Sequence, residues 1–467
     1  MRFRFYRMRR PVTRSLKPFY AAALLAGVNP HYIHAEPPRV YASRPVAVTA
    51  TCNLQGDVKD CKVRFLLQPF KGVQLALGGQ KVPARFSNAD KTLAETNVVL
   101  KALPAGLGTA EIVATHPATG SNRVIAVTLA QGQPAEVPLV ALDVPSARHR
   151  FVRRIATGKQ PKSAMFISPT RVVLPLLDDN HSEVIDILTG QVTRLELPAK
   201  YAKRGGFVES VVVPTRGEFW VSQMQAAAIH RFAIDTLEYR GTIDLTGSWT
   251  KVLAYDTVRN LVYASNWNSS DISVVSVEKL KELKRIKMSG VPRGMAFSND
   301  GSTMVAAIFG GKSDSDRAGR TVTIDLETQK VTSTITTGGA SRHAIRLKKG
   351  SNLFAVSDMA RSLIYFIEGY KKTDELRVFA NPNTIAESPD GKYLYVSSRG
   401  HNNPKSYLIK GHEFGKLNVI DSQTHKMIEQ IEAGNQPTGL DVSPDGRYVV
   451  LTDFLDHAMR VYERVDF

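Results

Sequence analysis

Along the last two thirds of the chain the apolar residues come in short runs rich in Val, Ile, Tyr and Phe, separated by Pro, Asp, Gly and Asn. This is the pattern of β-strands joined by tight turns. The runs also repeat. Gln436-Pro437-Thr438-Gly439-Leu440-Asp441-Val442-Ser443-Pro444-Asp445-Gly446 echoes Val291-Pro292-Arg293-Gly294-Met295-Ala296-Phe297-Ser298-Asn299-Asp300-Gly301, and again Asn381-Pro382 leading to Ser388-Pro389-Asp390-Gly391. Weaker copies are anchored at Pro161, Val208, Trp249 and Ser341, which makes seven copies spaced 41 to 55 residues apart. A period of that size indicates a closed repeat architecture.

Each copy has the same internal order. A short apolar strand leads into Ser-Pro-Asp-Gly or a degraded form, where Pro presets φ, Asp bonds the backbone beyond it and Gly takes positive φ. A second strand follows. The third ends in Val-Ile-Asp with a Thr three residues on, as at Asp186, Asp325 and Asp421. A fourth strand closes the copy. Four antiparallel strands per repeat form one propeller blade, so the fold expected is all-β, a seven-bladed propeller. The last copy runs out after three strands, and residues 151–158 resemble the fourth strand of the copy before it. The N-terminal strand is therefore expected to complete the C-terminal blade and close the ring, removing exposed sheet edges.

The last repeat, with Asn418-Val419-Ile420-Asp421, resembles the YVTN-family seven-bladed propellers, relatives of lactonase-type and surface-layer propellers. The resemblance covers residues 147–467. It implies an exported binding or scaffolding propeller and no specific activity, because this architecture hosts unrelated functions.

Residues 36–142 read as a small β-sandwich, with strand-like runs at 45–52, 62–67, 73–77, 111–115, 124–130 and 136–142 and no helical period. Leu103-Pro104-Ala105-Gly106 and the strands after it are similar to PEGA-type surface domains. Residues 143–150 read as a linker, leaving 151–467 for the propeller.

Residues 1–35 read as a secretory signal. Seven basic residues and no acid fill positions 1–17, an apolar stretch of ten follows, and Asn29-Pro30 ends it, too short to span a bilayer. Cleavage is expected near Ala35-Glu36, which lowers the formal charge from +18 to +11. No later stretch approaches 18 consecutive apolar residues, so a mature chain without a transmembrane segment is expected in the periplasm, the cell envelope or outside the cell. There, Cys52 and Cys61, flanking Gly56-Asp57, would close a hairpin as a disulfide.

In a propeller the loops entering each first strand and leaving each second strand gather on one face around the central channel. One position past each anchor stand Lys162, Glu209, Thr250, Arg293, Arg342, Asn383 and Thr438, a cationic set suited to a carboxylate, phosphate or anionic glycan. The second-strand loops add Asn266, Trp267, Asp358, Ser398, Arg399, Asp453 and Phe454, and His343 lies beside Arg342. Asp314 with Asp316, or His401 with His412 and Glu413, lack the spacing of a metal site, and no metal or cofactor is expected. Nucleophile-elbow, Walker, His-Glu-x-x-His and Cys-x-x-Cys-His motifs are missing from the sequence. The function expected is a monomeric envelope binding or scaffolding protein whose channel face takes a protein or an anionic ligand. The alternatives are a lactonase-type hydrolase using Arg293, Arg342 and His343, and a polyanion or nucleic-acid binder.

Overall fold

The computed structural model describes residues 148–467, except 311–317, 349–351, 404 and 411–413, together with the backbone of strands between Arg39 and Glu136. Signal-segment residues 1–35 and the side chains of Cys52 and Cys61 lie outside the described residues, as do Asp314, Asp316, His412 and Glu413.

Seven antiparallel sheets of four strands make up the propeller, and Arg39–Tyr41 adds a fifth, parallel strand to the outer edge of the sixth, along Met427–Glu432. The first six blades are continuous in sequence, each with its first strand innermost. Blade 4 shows the plan, with Pro292–Phe297, Thr303–Ile308, Arg320–Asp325 and Lys330–Thr336 paired in order. Blade 7 takes Pro437–Val442, Tyr448–Asp453 and Ala458–Arg464 from the C-terminus, and His149–Ala156 pairs along the last of these, His149 opposite Arg464 and Ala156 opposite Ala458. The ring thus closes as the sequence predicts. The Asp441 carboxylate, on blade 7, accepts from the Phe166 N–H of blade 1 at 2.7 Å across that seam.

Why the strands are apolar on both sides follows from period two. Met304, Ala306 and Ile308 of blade 4 pack on blade 3, whereas Val305 and Ala307, pointing the other way, pack on blade 5. Tyr393 and Tyr395 likewise face blade 7 while Leu394 and Val396 face blade 5. There is one such apolar cluster at each of the seven junctions. Fourth strands lie on the rim and are polar, as in Lys281–Lys287 and Lys371–Arg377, which are mostly exposed.

The turn chemistry is the one read from the sequence. In blades 4, 6 and 7, Ser298, Ser388 and Ser443 donate to Asp300, Asp390 and Asp445, and Gly301, Gly391 and Gly446 follow at φ of 66°, 68° and 84°. The Val-Ile-Asp carboxylates also serve turns: Asp186, Asp325 and Asp421 accept from the N–H groups of Thr189, Thr328 and Thr424 at 2.7 to 2.8 Å.

Upstream, Ala47–Gln55, Val58–Leu66, Leu93–Lys101 and two short edge strands form a five-stranded antiparallel sheet, beside the hairpins Leu75–Leu77 with Gln80–Val82 and Leu107–Thr115 with Asn122–Ala130. Leu93–Lys101 is absent from the sequence-based expectation, although it pairs along the whole of Val58–Leu66. The backbone register sets Cys52 opposite Cys61.

Candidate functional site

The channel face is built by a repeated backbone bond. The residue after each second strand donates its N–H to the carbonyl just before the first strand of the same blade: Met224 to Gly206, Trp267 to Trp249, Phe309 to Val291, Met359 to Ala340, Arg399 to Asn381 and Phe454 to Gln436. This bond fixes which residues are equivalent, and it corrects two sequence anchors. Phe207, not Val208, corresponds to Pro292, and Thr250 takes the place given to Trp249. Neither blade has Pro at its anchor, so the hydrophobic neighbour was aligned instead.

With the register corrected, the positions one past the anchor are Lys162, Val208, Lys251, Arg293, Arg342, Asn383 and Thr438. Thr250 is buried and donates to Asn266, while Lys251 is a channel residue that the misplaced anchor concealed. Glu209 stands one step further, equivalent to Val252, Gly294, His343 and Thr384.

A hydroxyl near the end of the second strand holds these entrances in place. Ser222, Ser357, Ser397 and Thr452 accept from the N–H groups of Glu209, His343, Thr384 and Gly439 at 2.7 to 3.1 Å. The same hydroxyls donate to the next blade, at the carbonyls of Lys251, Asn383, Thr438 and Pro161. Each clasp therefore pins two neighbouring first strands where they approach the channel. At Gly294 and Gly439 the approach leaves no room for a side chain: an added Cβ would lie 2.7 Å from the His343 Cα and 2.6 Å from the Ser163 Cα respectively.

Lys162, Glu209, Arg293, Arg342, His343 and Asn383 converge on one cavity, with Val208, Val252 and Thr384. Arg399 and Lys251 stand close enough to shift its charged groups. Five cations thus meet one carboxylate. Among the described residues none of the five forms an ion pair. Aromatic rings hold them instead. Lys251 Nζ lies 4.3 Å from the Trp267 ring and 5.6 Å from Trp249, the Arg293 guanidinium 5.4 Å from Trp267, Lys162 4.9 Å from Phe454, and Arg399 5.7 Å from both Tyr407 and Phe454. Arg293, Arg342 and Arg399 are at least nine-tenths buried, and each has an Nε without a hydrogen-bond partner. The remaining polar contacts are few: Arg342 reaches the Met359 sulfur at 3.4 Å, and Arg399 donates to Gln436.

This crowding moves the titrations. Lys162, Glu209 and Lys251 keep some surface because they line the well, yet protein encloses each head group. Enclosure, and then the neighbouring guanidinium groups, pull Lys251 down to about 6 and Lys162 well below its ordinary value. Burial raises the Glu209 carboxyl to about 7, against the pull of Arg293 and Lys162. Burial, then Arg293 and Arg342, lowers His343 to about 4, so it is neutral at pH 7. Its Nδ1 accepts from the Ile385 N–H at 3.3 Å, leaving the proton on Nε2. His343 is therefore a donor in the well, and Glu209 its one carboxylate among the described residues.

Four sequence candidates stay inside the blades. Asn266, Asp358, Ser398 and Asp453 end second strands, where their side chains meet the third strand or the incoming loop and not the channel. Asn266 donates to Asp271 and Ser273, Asp358 accepts from the N–H of Ala340, Ser398 accepts from Asn418, and Asp453 accepts from Gly434 N–H and Arg460. Trp267 and Arg399, each one residue beyond a strand end, do reach the mouth. Among the described residues no group of three His, Cys, Asp or Glu side chains could hold a metal ion.

Comparison with known proteins places this arrangement among relatives. Residues 316–466 match the family described as lactonase, 7-bladed beta-propeller. Antigen Lp49 of Leptospira interrogans serogroup Icterohaemorrhagiae serovar copenhageni (strain Fiocruz L1-130) is 43% identical over 408 residues, covering 87% of this chain and 88% of its own. Among solved structures, a chain of Kuenenia stuttgartiensis hydrazine synthase aligns with TM-score 0.56 and 16% identity, over 67% of this chain and 97% of that one, a likeness of fold alone.

Proposed function

We propose a binding function for this chain, which belongs to the same family of seven-bladed β-propellers as antigen Lp49: its channel face binds an anionic ligand. The observation that carries this reading is the convergence of Lys162, Lys251, Arg293, Arg342 and Arg399 on one well that, among the described residues, holds a single carboxylate, Glu209, with which none of them forms an ion pair. Buried cations are ordinarily paired, because an unpaired charge out of water is costly. Here each of the three guanidinium groups carries a buried Nε–H without a hydrogen-bond partner, a shortage that a carboxylate or phosphate would relieve with bidentate bonds. The cations and rings surround a single well and do not track a groove, which favours a small anion or an acidic terminus over a nucleic-acid strand.

The rest of the reading concerns setting. Residues 1–35 act as an export signal, residues 36–142 as a separate small sandwich that adds a second contact surface, and 143–150 as the link between them. Cys52 and Cys61, opposite each other in the hairpin register, form a disulfide after export. A relative named as an antigen agrees with an exported envelope protein. Among the described residues no helix is long and apolar enough to cross a membrane.

A second reading, hydrolysis of a sugar-acid lactone, is favoured by Glu209. A carboxyl raised to about 7 in a cationic well is placed to take a proton from water as it attacks the lactone carbonyl, with the arginines stabilising the oxyanion that forms and then the carboxylate released by ring opening. The two readings separate in one experiment, titration of the chain with carboxylates, phosphates and lactones beside a folded Arg293→Glu/Arg342→Glu variant. Binding without turnover, lost in the variant, supports the binding protein. Turnover lost in both that variant and Glu209→Gln supports the hydrolase. A chain that binds no small anion refutes both.

A further inference from the structure

The charge balance of the well constrains its ligand further, resting on the anion-binding reading above. Three guanidinium groups, Arg293 and Arg342 from the first strands of blades 4 and 5 and Arg399 from the loop of blade 6, stay charged at neutral pH. Two ammonium groups approach from blades 1 and 3. Facing them are Glu209 from blade 2, the neutral His343 and the Tyr407 ring. A singly charged ligand would match one guanidinium and leave two unanswered. The well is narrow, closed in by the first strands of blades 1 to 6, and suits a compact group better than a folded partner's loop.

We propose that the well takes a compact ligand bearing two or more negative charges, such as a di- or tricarboxylate or a phosphorylated acid, its acid groups shared among Arg293, Arg342 and Arg399. The aromatic rings that hold the cations also shield them from water, so each added ligand charge acts in a medium of low dielectric. Lys162 and Lys251 complete the match. In the empty well both give up protons readily, because burial and the three arginines oppose their charge. A polyvalent anion reverses that field and draws protons back onto the two amines, while favouring protonation of Glu209. Binding is therefore coupled to proton uptake, and affinity rises as pH falls from 8 to 6.

The test is calorimetric titration of the full chain at pH 7.5 and low salt with butyrate, glutarate, tricarballylate and pyrophosphate, each in HEPES and in Tris, whose ionisation heats differ. We expect affinity to rise by about tenfold per added charge, with net proton uptake that shrinks in Lys251→Met. Arg342→Met should flatten the dependence on ligand charge. If butyrate binds as tightly as tricarballylate, the polyvalent assignment is overturned while anion binding stands. A charge dependence unaltered by Arg342→Met also overturns it, because general surface attraction would then account for the trend. If none of the four binds, the anion reading itself falls.

Discussion

Arg342 and Arg460 are both buried arginines, 8% and 1% exposed, and replacing each by Met should change stability in opposite directions. Arg460 Nε donates to the Asp453 carboxylate at 2.6 Å inside blade 7. Removing it leaves Asp453 buried and unpaired, a loss of about 3–5 kcal/mol. Arg342 has no carboxylate partner. Its burial is opposed by desolvation and by Arg293 and Arg399, which hold its guanidinium well below the usual arginine range. Methionine fills similar space without charge, and replacing a poorly compensated buried ion in this way gains about 1–3 kcal/mol.

Scaled to roughly 320 propeller residues at about 2.1 cal/mol/K each, the unfolding entropy is near 0.7 kcal/mol/K. Arg342→Met should then melt about 2–4 °C above the parent and Arg460→Met about 4–7 °C below it, by calorimetry in a buffer free of phosphate and carboxylates. Saturating tricarballylate should reverse the first difference, since only the parent gains from binding. An Arg342→Met chain that melts below the parent without ligand would refute the reasoning, by showing that Arg342 supports the fold as an ordinary buried side chain does.

The same well makes stability depend on pH. With Lys251 lowered to about 6 in the fold and near 10.4 when unfolded, the unfolded chain binds more protons between these values, so stability rises with pH across that window. Urea midpoints at pH 6, 8 and 10 should rise less steeply in Lys251→Met, and an unchanged slope would remove the lysine from the account. Glu209→Gln takes away the one opposing charge, so at pH 8 anion affinity should increase severalfold by calorimetry, while any lactone turnover should disappear. Gly294→Ala sets a Cβ 2.5 Å from the Ala344 N of the next blade and should cost about 1–3 kcal/mol in urea melts. Gly217→Ala, with open space but φ of 61°, should cost about 1–2 kcal/mol through backbone strain alone.

The propeller was legible because its turns have local causes. Ser-Pro-Asp-Gly needs only its own side chains to turn, and seven repetitions with an unpaired last blade lead to the closing strand at His149–Ala156. The register of blades 2 and 3 was lost where the anchoring Pro gives way to Phe207 and Thr250. A better ruler was present in the hydroxyl-polar pairs ending second strands, Ser222-Gln223, Ser265-Asn266, Ser357-Asp358, Ser397-Ser398 and Thr452-Asp453. Aligned on these, Lys251 falls into line with Val208, Asn383 and Thr438, each 14 residues before its hydroxyl. What spacing does not convey is direction: Asn266, Asp358, Ser398 and Asp453 sit one residue short of the mouth, and that single step turns them into the blade. Leu93–Lys101 was missed because Glu95, Asn97 and Lys101 interrupt its apolar run.

A closed ring of near-identical blades separates residues that hold the fold from those that answer a ligand. The second-strand hydroxyl recurs because it clasps two neighbouring first strands at four of the junctions, and the third-strand Asp recurs because the same turn must be stabilised. At the position one past the anchor the side chain takes no part in the clasp, and there the blades differ: Lys162, Val208, Lys251, Arg293, Arg342, Asn383 and Thr438. Neutral residues on the adjoining blades 7 and 1–2 side, Thr438 and Val208, flank Lys162, while blades 3 to 5 present three consecutive cations. A ligand held by its acid groups would therefore turn them toward Arg293, Arg342 and Arg399 and its less charged end toward Val208. The clasp makes this asymmetry possible where it is present, because it binds entrance backbone and leaves the entrance side chain to change without disturbing it.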